Sequence, residues 1–253
     1  DSGVAKKPIT DFKVYAEGLE RFVFRSGFVM KPVFAQAKTR KQRVIFADGE
    51  DERVLRATEV VLEEGLATPI LIGRPAVVEA RIERFGLNLR PGRDFELVNP
   101  ESDSRYRDYV NTLLDVSGRK GYTPDVVRSL VRTSPTVIAA LAVHRGEADA
   151  MLCGLEGRFT SRLKQIRDII GLAPGVLGLS AMSILISPRG VFFLSDTHVR
   201  IDPNPQQIAD MTASCVRHVR RFGLEPKVAL LSHSNFGSND APSPRKMREA
   251  LAL

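Results

Sequence analysis

Between residues 43 and 153 the sequence alternates short apolar runs with amphipathic segments, and this alternation limits the possible folds more than any other feature. The apolar runs contain few polar positions, which is typical of strands that are buried on both faces. The segments between them repeat apolar residues at helical spacing. Because strands that alternate with helices build parallel sheets covered on both faces, the sequence predicts an α/β fold. The predicted strands are residues 44–47, 69–73, 95–98 and 148–153.

The two ends of the chain have a different pattern. After residue 171, two apolar runs flank the turn 187–190, which predicts a β-hairpin, and a long helix and a further strand at 228–231 follow. Near the start, an amphipathic helix is predicted to end at Gly27, and a second helical piece begins at Met30. We therefore predict a helical connector over residues 1–40, an α/β domain I over 41–160 and an α/β domain II over 161–253.

Composition and charge narrow the possible partners. The net charge of +7 suits a polyanion or a small phosphorylated ligand, and a solvated basic surface is the plainer alternative. No nucleic-acid partner is predicted, because the basic residues are interleaved with acids and the chain has four tyrosines and no tryptophan. No apolar run reaches the roughly 18 residues of a membrane helix. With two cysteines and no signal pattern, we predict a cytoplasmic protein without a membrane partner.

Several motifs occur in a recognisable order. They are residues 46–53 (FADGEDER), 69–73 (PILIG), 135–138 (PTVI), 146–150 (GEADA), 195–197 with 203–205 (SDT, PNP) and 232–238 (SHSNFGS). In this order the chain resembles the phosphate acetyl/butyryltransferase family. Residues 15–17 and 30–34 resemble the connector that follows the catalytic part of bacterial NADP-dependent malic enzymes, whose C-terminal domain is of this family. The resemblance implies a two-domain phosphotransacetylase-like fold, with parallel or mixed sheets covered by helices, an interdomain cleft, and the last strands missing from this sequence.

The family's catalytic motifs are altered in this sequence. Working members resemble one another after the fourth strand, with a glycine loop, a Thr-Thr-Ala-Asp helix start and an Arg-Pro pair. Here Arg158-Phe159 stands in place of the threonine pair, and Lys164-Gln165 in place of Arg-Pro. Lysine keeps the charge but loses the planar fork that binds phosphate in two places. The Asp-Leu-Ser-Arg-Gly motif, which holds the family's catalytic serine and arginine, is absent as well, so no catalytic residue is predicted.

Two stretches are predicted to contact a ligand. The first is the helix from residue 158, with Phe159, Leu163, Ile166 and Ile170 on its apolar face; a solvated helix is the alternative. The second is loop 232–238, which can aim donors at an anion, against an ordinary polar turn. The acidic run 48–52 is predicted to open a helix rather than bind a metal. The ligand-binding candidates are Arg158, Thr160, Ser161, Arg162, Lys164, Ser232, Ser234, Asn235 and Ser238.

The resemblance implies a regulatory role. Such a domain binds acetyl-CoA, or a related CoA ester, and adjusts the oxidative decarboxylation of malate to pyruvate by a catalytic domain elsewhere in the same chain. NADP and a divalent metal would bind only to that catalytic domain, so no cofactor is predicted for this segment. A homo-oligomer, at least a dimer, is expected from the family. The alternatives are an active phosphate acetyltransferase, which converts acetyl-CoA and phosphate to CoA and acetyl phosphate, and a pure oligomerisation module.

Overall fold

The computed structural model describes residues 11–187 and 189–253, and within the first helix only the backbone at residue 14, residues 16–26 and residue 28. Residues 1–10 of the predicted connector lie outside the described part. The chain forms two compact units. One is Gln36–Ala173, and the other combines the stretch that ends at Ala35 with Pro174–Leu253. The predicted domain boundaries after residues 40 and 160 stay predictions.

The unit Gln36–Ala173 is built around a four-stranded sheet in which every paired strand is parallel, as the apolar runs predict. The strand order is β3-β2-β1-β4, so the chain adds two strands on one side of β1 and then crosses to the other side. The elements are β1 Gln42–Phe46, α2 Glu52–Glu63, β2 Ala67–Ile72, α3 Pro75–Phe85, β3 Glu96–Val98, α4 Tyr106–Ser117, α5 Pro124–Thr133, α6 Pro135–His144, β4 Ala150–Leu152 and α7 Phe159–Ile170.

Helices cover both faces of this sheet. Ile45 packs with α4, α5 and α6 on one face, whereas its neighbour Phe46 packs with α2 and α3 on the other. Adjacent strand residues point to opposite faces, and both of these side chains are buried, which explains the unbroken apolar strands. Helix α6 is buried on all sides from Thr136 to Ala142, and this central position fits its almost uniformly apolar sequence.

The part of the second unit that follows residue 173 contains a hairpin and two α-helices. Strands β5, Met182–Ser187, and β6, Gly190–Ser195, pair antiparallel up to Ser187 opposite Gly190, which confirms the predicted hairpin. Helix α8, Pro205–Arg221, begins with a capping box between Asn204 and Gln207. Helix α9, Pro242–Ala252, packs on α8.

Two sequence predictions about secondary structure are wrong. Helix α1 runs without a break over Phe12–Thr39, so it does not end at Gly27. A single glycine costs only about 1 kcal/mol within a helix, which neighbouring turns can offset. Residues 228–231 form no strand, because no other described segment pairs with them; Leu230 instead packs on the α8–α9 cluster. Among the described residues no single helix could cross a membrane by length and composition, and α5 with α6 passes that test only as a pair bent by 99°.

Candidate functional site

A cavity of about 390 Å³ opens at the carboxyl edge of the parallel sheet, where ligands of α/β folds commonly bind. The loops that follow β1, β2 and β3 line it, together with Arg81 on α3, Arg132 at the end of α5 and Glu156 after β4. Gly49 and Gly73 let the first two loops approach each other closely. A Cβ at Gly49 would lie 2.6 Å from the carbonyl oxygen of Ile72, so no larger residue fits there without a shift.

The acidic run after β1 has structural partners. Glu50 accepts two hydrogen bonds from the Arg74 guanidinium, at 2.8 and 2.9 Å, and these bonds lower the pKa of its carboxyl group. Asp51 caps α2 by accepting a hydrogen bond from the backbone N–H of Arg53 at 2.8 Å. The described residues hold no group of three or more His, Cys, Asp or Glu side chains placed to bind a metal ion.

Asp48 holds the loop that precedes α7. Its Oδ2 accepts hydrogen bonds from the backbone N–H groups of Gly154, at 3.0 Å, and Leu155, at 3.2 Å. Successive backbone N–H groups of this kind are able to bind an anion. Here a carboxylate of the chain itself already takes these two donors.

The five predicted ligand contacts on and before α7 fall into two groups. Arg158, Thr160 and Ser161 are exposed at the start of the helix. Arg162 is half-buried and donates to the Thr136 hydroxyl at 2.9 Å and to the Glu156 carbonyl oxygen at 3.5 Å, so it ties α7 to α6 and to the preceding loop. Of these four side chains, three can therefore meet a ligand and one already holds the fold together.

Lys164, the fifth, is held by two side chains of the same unit. Its Nζ donates to Asp168 Oδ2 at 2.6 Å and to the Tyr122 hydroxyl at 3.1 Å, and it lies 5.1 Å from the centre of the Tyr122 ring. These hydrogen bonds, first that to Asp168 and then that to Tyr122, raise the pKa of Lys164. Burial alone would raise the pKa of Asp168, but the bonds from Lys164 and Tyr122 outweigh it and the pKa is lowered.

The predicted apolar face of α7 is only partly right. Phe159 is 52% exposed and Ile170 is 39% exposed, whereas Asp168 and Ile169 are buried. A carboxylate is buried on this helix because Lys164 and Tyr122 satisfy it, and that compensation outweighs the apolar pattern.

The other four candidates lie in loop 232–238 of the second unit. The Ser232 hydroxyl accepts a hydrogen bond from the backbone N–H of Ser234 at 3.2 Å, and the Ser234 hydroxyl accepts one from that of Asn239 at 3.0 Å. The side chains of Asn235 and Ser238 are exposed. Two of the four side chains thus shape the loop and two face solvent. The structure groups five candidates around α7 and four in this loop, each set in its own unit.

A comparison with protein-family models assigns the chain to a family. The model described as phosphate acetyl/butaryl transferase matches residues 28–253. The chain belongs to this family. Solved structures agree with the phosphate acetyl/butaryl transferase assignment: a phosphotransacetylase from Streptococcus pyogenes has a TM-score of 0.75 at 25% identity, over 95% of this chain and 68% of its own. For the EutD phosphotransacetylase from Staphylococcus aureus the TM-score is 0.79 at 23% identity, over 89% of this chain and 67% of its own. These likenesses confirm the predicted phosphotransacetylase-like α/β fold.

Within the family, malic enzymes match this chain over its whole length. It is 58% identical to an NAD-dependent malic enzyme of Rhizobium meliloti and 46% identical to an NADP-dependent malic enzyme of Escherichia coli, and each alignment covers 100% of this chain and 33% of the relative. A phosphate acetyltransferase of Escherichia coli is 28% identical over 86% of this chain and 30% of its own length. The chain thus spans about a third of the length of these curated relatives.

The roles of three residues around α7 were not predicted from the sequence. Asp48 and Tyr122 lie far along the chain from Gly154 and Lys164, so only the fold brings each pair together. The role of Asp168 could have been predicted, because Asp168 stands four residues after Lys164, the spacing at which opposite charges meet on a helix.

Proposed function

We propose that this chain is the acetyl-CoA-sensing regulatory part of a malic enzyme and has no phosphate acetyltransferase activity of its own. One observation carries the proposal: the malic enzymes align with all of the chain at 58% and 46% identity, against 28% for the acetyltransferase. The catalytic part, with its nicotinamide nucleotide and divalent metal, belongs to the remaining length of such relatives. The relatives include both NAD- and NADP-dependent enzymes.

The arrangement around α7 supports binding without chemistry. Arg158, Thr160 and Ser161 remain exposed, and a guanidinium with two hydroxyls suits the phosphate groups of a CoA ester. Phe159, in place of a threonine, offers no hydroxyl for acyl transfer. The cation that replaces the family's arginine, Lys164, is bound by Asp168 and Tyr122, so it is poorly placed to stabilise charge on a reacting phosphoryl group.

The regulation proposed here is a free-energy coupling between two sites. Acetyl-CoA must bind one arrangement of the protein better than another, and the malate site must distinguish the same two arrangements. Couplings of this kind are typically about 1–3 kcal/mol, or roughly 5- to 150-fold in affinity. A cytoplasmic homo-oligomer, at least a dimer, is part of the proposal, since effectors often act by favouring one arrangement of the subunits.

We expect acetyl-CoA to bind the full-length protein without acetyl phosphate being formed. Titration calorimetry measures the binding, an acetyl phosphate assay on the same sample measures turnover, and malate oxidation with and without acetyl-CoA measures the coupling. Arg158→Gln should weaken binding about tenfold by removing one charge-assisted contact. Arg128→Gln is the matched control, because Arg128 is also an exposed arginine of this unit and pairs with Asp125 on its own helix, α5.

The other outcomes point to the alternative functions. Turnover of acetyl phosphate with CoA would make this chain an active phosphate acetyltransferase. If the protein shows neither binding nor turnover, the remaining alternative is an oligomerisation module. Equal losses of affinity in the Arg158 and Arg128 variants would remove α7 from the proposed binding surface.

A further inference from the structure

Helix α7 has one acidic residue among its cations, and it is the only charged residue of this helix that is buried. The helix carries Arg162, Lys164 and Arg167, with Arg158 just before it, and its only acid is Asp168. The Asp168 side chain is 10% exposed, whereas that of Lys164 is 56% exposed. A carboxylate so placed neutralises the lysine from the buried side.

Three side chains, Lys164, Tyr122 and Asp168, each contact the other two. Lys164 Nζ reaches Asp168 Oδ2 at 2.6 Å, the Tyr122 hydroxyl reaches the same oxygen at 3.2 Å, and Lys164 Nζ lies 3.1 Å from the Tyr122 hydroxyl. Lys120 adds a hydrogen bond to the Asp168 backbone carbonyl, and Arg167 lies 3.6 Å from Asp168 Oδ1. Two of the three N–H donors of Lys164 are thereby taken.

We infer that Asp168 and Tyr122 are specificity-determining residues: by binding the Lys164 ammonium, they weaken the attraction of the α7 surface for phosphate-bearing ligands. A carboxylate in contact with a lysine offsets the positive potential that the lysine presents to a second anion. To bind a phosphate group, Lys164 must either contact Asp168 and the phosphate at once or leave Asp168. If it leaves, Asp168 becomes a buried carboxylate with one fewer hydrogen bond. The inference rests on the proposed function, which brings a CoA ester to this helix.

The expected effect is a gain of affinity. Asp168→Asn keeps the size and one acceptor oxygen but removes the negative charge, so a neighbouring anion no longer offsets the positive charge of Lys164. We expect the full-length Asp168→Asn protein to bind coenzyme A about three- to tenfold more tightly than wild type, somewhat more than an exposed ion pair would give. Tyr122→Phe leaves the carboxylate in place and should give a smaller gain. Asp168→Glu keeps the charge and should bind as wild type does.

A double-mutant cycle tests whether the gain acts through Lys164. In a Lys164→Met background, Asp168→Asn should tighten coenzyme A binding much less than it does in wild type, because the only cation then released is the more distant Arg167, 3.6 Å from Asp168 Oδ1. A gain of the same size in that background, or no gain in an Asp168→Asn protein that still unfolds cooperatively, would overturn the inference. If Asp168→Asn does not fold, the same comparison is made with Tyr122→Phe, and no gain there would overturn it as well.

A second measurement needs no ligand and so separates this inference from the proposed function. Only a neutral amine is acylated, and the hydrogen bonds to Asp168 and then to Tyr122 raise the pKa of Lys164, which lowers the fraction of neutral amine. Trace labelling of the full-length protein with acetic anhydride should modify Lys164 more slowly than exposed Lys227 in wild type, and faster in Asp168→Asn than in wild type. If Lys164 is labelled faster in Asp168→Asn but coenzyme A does not bind, the effect of Asp168 on Lys164 stands and the proposed ligand is rejected. An unchanged labelling rate would reject the effect of Asp168 on Lys164.

Discussion

Gly49→Ala is expected to destabilise the α/β unit by about 3 kcal/mol, the upper end of the usual penalty for overpacking. The added Cβ would lie 2.6 Å from the carbonyl oxygen and 2.9 Å from the backbone nitrogen of Ile72. Both atoms belong to the last residue of β2, in the middle of the sheet order, so they cannot swing aside as a flexible side chain would. Denaturant unfolding of the full-length protein, followed by a probe within this unit, measures the loss.

Gly118→Ala is the matched control for this substitution. Gly118 belongs to the same unit, has φ −56°, and a Cβ there would meet no atom within 4 Å. We expect its free energy of unfolding to change by less than about 0.5 kcal/mol, as is usual for open sites. A Gly49→Ala protein with the wild-type denaturation midpoint would show that the loop after β1 does not need to lie against β2.

Tyr109→Phe is expected to lower the free energy of unfolding by about 2 kcal/mol, within the range for a hydrogen bond to a charged group. The Tyr109 ring is 2% exposed, and its hydroxyl donates to Glu147 Oε2 at 2.6 Å. Burial first, and then this bond to a carboxylate, raises the pKa of Tyr109. Without the hydroxyl, Glu147 loses its donor on the buried side. It keeps its contacts with Arg145, at 2.6 Å, and Arg105, at 3.6 Å.

Tyr106→Phe makes the same chemical change on the same helix. The Tyr106 hydroxyl donates to the Arg128 backbone carbonyl at a longer 3.3 Å in an exposed setting, where water can replace it. We expect a loss below about 0.5 kcal/mol there. Equal losses in the two variants, measured by denaturant titration, would mean that the contact between Tyr109 and Glu147 adds nothing beyond a neutral surface bond.

The sequence predicts the α/β sheet well because its signal is local. Ile45 and Phe46 are adjacent and both apolar, and only a strand covered on both faces buries two such neighbours. The hairpin was predictable for a similar reason, since its turn residues lie between two apolar runs. Residues 228–231 show the limit: they are as apolar as β1, but a strand also needs a neighbour to pair with, and a sequence pattern does not supply one.

The candidate site was harder to predict because its contacts join distant parts of the chain. The cations of α7 could be recognised from the sequence, yet their availability depends on partners. Arg162 is held by Thr136 on α6, and Lys164 is held by Tyr122, which lies before α5. Charge and helical spacing identify which side chains are able to bind an anion. They do not show which of them the folded chain has already bound.

The strand order β3-β2-β1-β4 has a consequence for synthesis on the ribosome. Strand β1 is made early, but its second edge pairs with β4, and the residues that join them, Arg43 and Asp149, are 106 positions apart. Until β4 emerges, one edge of the apolar strand β1 has unpaired backbone N–H and C=O groups, which can pair with a neighbouring nascent chain. The bidentate ion pair between Arg43 and Asp149 forms only when that edge closes, so it marks the completion of the sheet.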